Sequence, residues 1–81
     1  MPKPSKLGAR IKSFRTKAGL TQGELARRSG VPRQTIGFVE AGIQNSLSLE
    51  NAVKIARALN VTLDYLAGSL DDEPQRAAAT V

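Results

Sequence analysis

One segment near the middle of the chain constrains its fold more than any other feature. It runs from Leu20 to Gly42 and reads LTQGELARRSGVPRQTIGFVEAG. Two short helical patterns in this segment are separated by one glycine, Gly30, a residue suited to the left-handed conformation that commonly ends a helix. The second pattern carries polar side chains where a core helix would not need them. The segment therefore predicts two helices joined by a tight turn, one of which supports the other and presents it outward.

Capping signals place both helices of this pair. Thr21 is a candidate N-cap, and Glu24 three residues later completes a capping box, which predicts a helix from Gln22 to Ser29. Pro32 suits the first turn of the next helix, because its missing N–H costs nothing there. That helix is predicted from Pro32 to Ala41. Its inward-facing apolar residues are Ile36 and Val39.

Three more helices are predicted around this pair. An apolar stripe at helical spacing indicates a first helix from Lys6 to Ala18, and Ser48 caps a fourth that ends at Asn60. A short fifth helix runs from Thr62 to Gly68. The first stripe is Leu7, Ile11, Phe14 and Ala18, and the inner face of the fourth helix is predicted to be Leu49, Ala52, Val53, Ala56 and Leu59.

No segment alternates with the period of a strand, so an all-α fold of five helices is expected. We expect residues 6–70 to form one domain, because 81 residues are too few for two. The first five residues hold two prolines, and residues 71–81 carry acidic residues, a proline and small residues without a stripe. Both ends are predicted to be flexible, as an N-terminal arm and a C-terminal tail.

The charge is distributed unevenly along the chain. Residues 1–33 contain nine Lys or Arg and one acidic residue, a net charge of +8, whereas residues 34–81 contain three basic and six acidic residues, a net charge of −3. A basic half beside a mildly acidic half suits a polyanionic partner. Basic residues also solubilise helix surfaces, so charge by itself leaves both interpretations open.

Cysteine and histidine are both absent from the chain. This composition argues against disulfides, against metal sites built on thiolate or imidazole, and against cysteine–histidine or serine–histidine catalysis. We therefore expect no catalytic site, no metal and no cofactor. No apolar run approaches the roughly 20 residues of a membrane span, and no signal-peptide pattern follows the N-terminus, so a cytoplasmic location and no membrane partner are expected.

The segments TQGELARRSGVPRQTIGFVEAG and SLENAVKIARALNVTLDYLAG together resemble the Cro/phage-repressor-like (XRE-type) helix-turn-helix family. The match extends over about residues 7–70. It is specific because the cap, the turn glycine, the Thr-Ile pair, Glu-x-Gly and Leu-Asp-x-Leu occur in the family's order. The resemblance implies a five-helix domain of the lambda-repressor-like type, with helices 2 and 3 forming the helix-turn-helix.

The resemblance also implies a site on double-stranded DNA. The N-terminal end of helix 3 reads base edges in such domains, where Arg33 suits guanine and Gln34 suits adenine. Arg15 and Glu40 match a pair that joins the first helix to the end of helix 3. The residues expected to read bases are Arg33, Gln34, Gly37 and Phe38, and those expected to touch the DNA backbone are Thr21, Gln22, Thr35, Arg15, Gln44 and Asn45.

Three residues in or beside helix 3 depart from the family pattern. Gly37 and Phe38 stand where larger or polar residues are usual, and Ile43 replaces an expected basic residue. Phe38 could pack on a thymine methyl group or belong to an apolar patch for another protein.

The leading functional hypothesis is a sequence-specific transcriptional regulator, in the first instance a repressor, that binds a palindromic operator as a homodimer. The alternative is an antitoxin-type or other module that captures a partner protein through its tail or the Phe38–Ile43 region. A membrane-surface role for the basic first helix ranks lower, because its apolar stripe is needed for the core. An enzyme ranks lowest.

Overall fold

Five α-helices account for all the regular structure in the part of the chain that the structure, a computed structural model, describes, residues 6–67. The predicted all-α, five-helix class is confirmed. The predicted arm at residues 1–5, the tail at 71–81 and the last three residues of the predicted domain lie outside the described residues. The helices are α1 Lys6–Lys17, α2 Gln22–Ser29, α3 Arg33–Glu40, α4 Leu49–Leu59 and α5 Leu63–Ala67.

The apolar side chains of all five helices meet in one core. Helix α2 packs against α3 and α4, while α1 packs against α3 and α5. Burial of these side chains stabilises the domain by roughly 1.5–3 kcal/mol for each large aliphatic residue. The fully or largely buried apolar residues are Ile11, Leu20, Leu25, Val31, Ile36, Val39, Ile55, Ala56, Leu59 and Leu66.

The inner face of α4 differs from the predicted one. Leu49 is 71% exposed, and Leu47 in the preceding loop packs against the core instead. Ile55, which the sequence analysis left out, is fully buried. Leu49 is the first residue of α4, whereas Ile55 lies near the middle of the helix. Ser48 caps α4 through its side chain, and Asn60 ends it with a φ of 59°, both as predicted.

Four predicted helix ends were one residue too long, at Ala18, Pro32, Ala41 and Thr62. Ala18 follows α1 in an exposed turn and contributes nothing to the core. Pro32 precedes α3 at the N-cap position, with an extended ψ of 138°, and its carbonyl oxygen accepts the first helical hydrogen bond from the Ile36 N–H at 3.2 Å. The first turn of α3 therefore starts at Arg33.

A contact that the sequence analysis missed fastens α5 to α1. Arg10 donates from Nε and Nη2 to the Tyr65 carbonyl oxygen, at 2.9 and 2.6 Å. Its guanidinium also lies over the rings of Phe14 and Tyr65, 5.3 and 5.1 Å from their centroids. These contacts hold a five-residue helix that is too short to be stable by itself.

Candidate nucleic-acid interface

The N-terminus of α2 is fixed by the predicted capping box. The Thr21 hydroxyl accepts from the Glu24 N–H at 3.1 Å, and the Thr21 N–H donates to Glu24 Oε1 at 2.8 Å. The hydrogen bond from the Thr21 backbone is the largest cause that lowers the pKa of the Glu24 carboxyl below its ordinary value. The Thr21 hydroxyl is thus used as an acceptor within the protein. Its predicted contact with a phosphate stays a prediction.

The turn between α2 and α3 sets the angle between the two helices. Gly30 has a φ of 78°, a conformation that side chains other than glycine rarely adopt, and its N–H donates to the Ala26 carbonyl oxygen. Val31, one residue later, is buried in the core. The chain therefore turns sharply at Gly30, and the Val31 side chain packs into the core before α3 begins.

Helix α3 has one buried side and one outward side. Ile36 and Val39 are fully buried, so the residues on the opposite side face away from the core. Arg33 and Gln34 are exposed there, as the sequence predicted, and Thr35 is half-buried. Phe38 is 39% exposed and lies one turn beyond Gln34. The outward face of α3 is formed by Arg33, Gln34, Gly37 and Phe38.

Three helices are joined beneath this face by a buried polar cluster. Arg15 donates from Nε to Glu40 Oε2 at 2.7 Å and from Nη2 to Glu40 Oε1 at 2.9 Å. Gln22 Nε2 donates to the same Glu40 Oε1 at 3.1 Å. Hydrogen bonding to Glu40 is the largest cause that raises the pKa of Arg15. Because Arg15 belongs to α1, Gln22 to α2 and Glu40 to α3, the cluster fixes their relative positions.

The structure does not support the expected contact of Arg15 with the DNA backbone. Arg15 is 9% exposed, and its third nitrogen, Nη1, donates to the Leu20 carbonyl oxygen at 2.7 Å. All three guanidinium nitrogens are therefore used inside the protein. We assign Arg15 to positioning, together with Glu40, and not to the DNA surface.

Two glycines lie where the start of α2 is near the outward face of α3. A Cβ atom at Gly37 would lie 3.5 Å from Gln22 Oε1, and one at Gly23 would lie 3.9 Å from Arg33 Cδ. Gln22 and Arg33 are thus near neighbours on one surface, although they belong to different helices. The carboxamide of Gln22 lies beside the face that is predicted to read bases.

The loop after α3 extends this surface. The N–H groups of Ile43 and Gln44 both donate to the Phe38 carbonyl oxygen, at 3.0 and 3.1 Å. Gln44 is half-buried and its Nε2 donates to the Ser46 carbonyl oxygen at 2.8 Å, whereas Asn45 is exposed. Asn45 also lines a shallow groove of about 290 Å³ beside the end of α5. The predicted contacts of Gln44 and Asn45 with the DNA backbone stay predictions.

The electrostatic field around the first three helices is positive. Residues 6–42 include eight basic and two acidic residues, a net charge of +6. One of the two acids, Glu40, is neutralised by Arg15. The exposed basic side chains on these helices and their connections are Lys12, Lys17, Arg27, Arg28 and Arg33. A polyanion is therefore attracted to this half of the domain.

Residues 6–67 contain no group of acidic residues arranged to hold a metal ion. No helix in the same range is long and apolar enough to cross a membrane.

Comparison with known proteins finds the same elements. A model of the helix-turn-helix family matches residues 11–66. A helix-turn-helix-type transcriptional regulator from Archaeoglobus fulgidus is 51% identical over 57 residues, which are 70% of this chain and 80% of that protein. SinR of Bacillus subtilis, another regulator of this type, is 30% identical over 60 residues, which are 74% of this chain and 54% of SinR.

Solved structures agree in fold. The restriction-modification controller protein C.AhdI from Aeromonas hydrophila superposes with a TM-score of 0.70 at 41% identity, over 75% of this chain and 91% of C.AhdI. SinR in complex with DNA gives a TM-score of 0.72 at 30% identity, over 74% of this chain and 95% of that one. SinR in a complex with SinI protein gives the same score over 58% of that chain. The chain therefore belongs to the helix-turn-helix family and is a transcriptional regulator with a Cro/C1-type DNA-binding domain, not an enzyme.

Proposed function

We propose that this regulator recognises one DNA sequence as a homodimer, on a palindromic operator, and represses transcription from it. The observation that carries the proposal is the outward face of α3. Arg33 and Gln34 are exposed at the N-terminal end of a helix whose opposite side is buried. That is the geometry by which a recognition helix enters the major groove.

The residues of the face divide into two roles. Arg33 forks onto guanine O6 and N7 and Gln34 pairs with adenine N6 and N7, each worth about 1–3 kcal/mol of discrimination. Gln22, Thr21, Thr35, Gln44 and Asn45 contact phosphates, and the N-terminus of α2 assists through its N–H groups. Gln22 then either keeps its hydrogen bond to Glu40 or exchanges it for a phosphate oxygen.

The proposal of a homodimer follows from the surface area that one domain can bury on DNA. A single small module buries about 600–1,000 Å² on DNA, whereas specific complexes typically bury about 1,000–2,500 Å². Two copies related by a twofold axis supply the rest and read two half-sites about 34 Å apart, or a multiple of that distance. A dimer bound where its operator overlaps the polymerase site blocks transcription by occupying the DNA, so repression needs no other activity.

Selection of bound sequences from random DNA, with sizing of the selected complex, tests these statements together. The expected result is a palindromic consensus bound by two chains. Arg33→Ala and Gln34→Ala should each relax the preference at one base position and leave non-specific affinity nearly unchanged. Gln22→Ala should weaken binding to all sequences about equally.

Arg57→Ala is the matched control, because it removes the same charge as Arg33→Ala from an exposed position on α4. It should leave the consensus unchanged. Equal losses on all sequences for Arg33→Ala, Gln34→Ala and Gln22→Ala would contradict the assigned roles. A selection that returns no consensus would contradict sequence-specific binding.

A partner protein is the second candidate function. The exposed side chains of Phe38 and Ile43 favour it, since both are apolar and lie on α3 and in the loop that follows it. SinR, a relative of this chain, has been solved in a complex with SinI protein. An antitoxin-type module would co-purify with a second small protein after nuclease treatment, and Phe38→Ser with Ile43→Ser would abolish that association.

A further inference from the structure

Phe38 is an exposed aromatic residue on the outward face of α3, beside the polar side chains of Arg33 and Gln34. Large apolar side chains exposed among the described residues also include Ile43, Leu49 and Tyr65, but none of these three lies on α3. Tyr65 is partly covered, because its ring lies 5.4 Å from that of Phe14 and under the Arg10 guanidinium. Phe38 stands one turn from Gln34 on the outward face of α3.

The buried side of α3 and the loop that follows the helix fix the position of Phe38. Its neighbour Val39 and the preceding Ile36 are fully buried, which fixes the rotation of α3 about its axis. Its carbonyl oxygen accepts the N–H groups of Ile43 and Gln44, which fixes the end of the helix. Gly37 beside it has no side chain, so a DNA surface can approach the helix backbone and the Phe38 ring together.

A phenylalanine ring has no hydrogen-bond donor or acceptor for the polar groups of base edges. The C5-methyl group of thymine is the apolar feature that a base pair presents in the major groove, and apolar side chains contact it. We propose that Phe38 is a specificity-determining residue that selects thymine in each half-site through its C5-methyl group. The inference rests on the proposed function, since it requires α3 to lie in the major groove.

Deoxyuridine provides the direct test, because it keeps every hydrogen-bonding group of thymidine and lacks the C5-methyl. Each thymine of the selected operator is replaced in turn, and the Kd of the full-length protein is measured. Replacement at one thymine per half-site should weaken binding about fourfold per half-site, the loss that corresponds to one methyl-sized apolar group. A C·G pair at that position should gain about fourfold when its cytosine carries a 5-methyl group.

Variants connect the effect to the side chain. Phe38→Ala should bind thymine and deoxyuridine operators equally, whereas Phe38→Leu should retain part of the difference, because leucine is also apolar. Leu49→Ala is the matched control, since it truncates an exposed apolar residue that lies on α4 and not on α3, and it should retain the full difference. Thermal unfolding of each variant confirms that it is folded.

The outcomes separate this inference from the function on which it rests. Equal affinity of the wild-type protein for thymine and deoxyuridine at every position would overturn the inference and leave DNA recognition intact. A methyl effect that persists in Phe38→Ala would also overturn it. Failure of the wild-type protein to bind any DNA, including the parent operator, would overturn the proposed function as well.

Discussion

Arg15, Gln22 and Glu40 show how one buried cluster can set the geometry of a DNA-reading surface. The Glu40 side chain is 4% exposed, so its charge is stable there only because Arg15 and Gln22 hydrogen-bond to it. Desolvation makes the net stabilisation by such a pair small. Its effect is to favour one arrangement of α1, α2 and α3 over others.

We expect Arg15→Ala to lower the free energy of unfolding by about 3–5 kcal/mol, because it leaves the Glu40 carboxylate buried without its cation. Urea denaturation measures the change. The double variant Arg15→Met with Glu40→Leu removes both charges and keeps the volume, so it should lose much less than the single variant. A single-variant loss below about 1 kcal/mol would show that Glu40 is hydrated and that the cluster is not a buried one.

At the scale of elements, the approach of α1 to α3 depends on Gly8. Gly8 is buried, and a Cβ atom there would overlap the carbonyl oxygen of Val39 near the end of α3. That obstacle is backbone, which cannot rotate away as a side chain would. The contact therefore places α1 where Arg15 reaches Glu40.

Gly8→Ala should destabilise the domain by about 1–3 kcal/mol or more, because α1 and α3 must move apart. Gly23→Ala is the matched control, since Gly23 is also helical but its nearest neighbours lie 3.9 Å from a Cβ atom. Removal of that glycine from a helix should stabilise the domain by roughly 0.5–1 kcal/mol. Thermal or urea unfolding of both variants measures the two changes in stability, which should have opposite signs. Equal changes would contradict the close approach of α1 to α3 at Gly8.

At the scale of the whole molecule, the positive charge lies on the same part of the chain as the proposed DNA-reading surface. Residues 6–42 carry a net charge of +6, whereas residues 43–67 contain two basic and two acidic residues and are neutral. The recognition helix, the start of α2 and the exposed Arg27, Arg28 and Arg33 thus belong to the positive half. A polyanion is attracted before any base is read.

The affinity for DNA should fall by about 10³–10⁵ between 50 and 200 mM salt if a dimer makes 6–10 phosphate contacts. The reason is that each neutralised phosphate releases condensed counterions, a gain that disappears as the salt concentration rises. Titration of the selected operator at several salt concentrations measures the slope. A DNA complex whose affinity does not change with salt would contradict the 6–10 phosphate contacts.

Local signals in the sequence predicted much of this architecture. The Thr21–Glu24 box, Gly30, Ser48 and Asn60 lie where their caps were expected, because capping depends on residues within one turn. Two predictions from local patterns were wrong: Pro32 precedes α3 instead of belonging to it, and Leu49 is exposed instead of facing the core. Whether a terminal residue joins its helix, or packs inward, depends on neighbours that are distant in sequence.

For the surface, the sequence by itself determined which residue types α3 presents and that α2 precedes it across a tight turn, since both follow from helical period and glycine conformation. Only the tertiary structure decided that Arg15 is buried, that Gln22 shares the Glu40 carboxylate, and that Arg10 fastens α5. These contacts join residues 18 to 55 positions apart. Such pairs form only after the core has brought the helices together, and local patterns do not encode that arrangement.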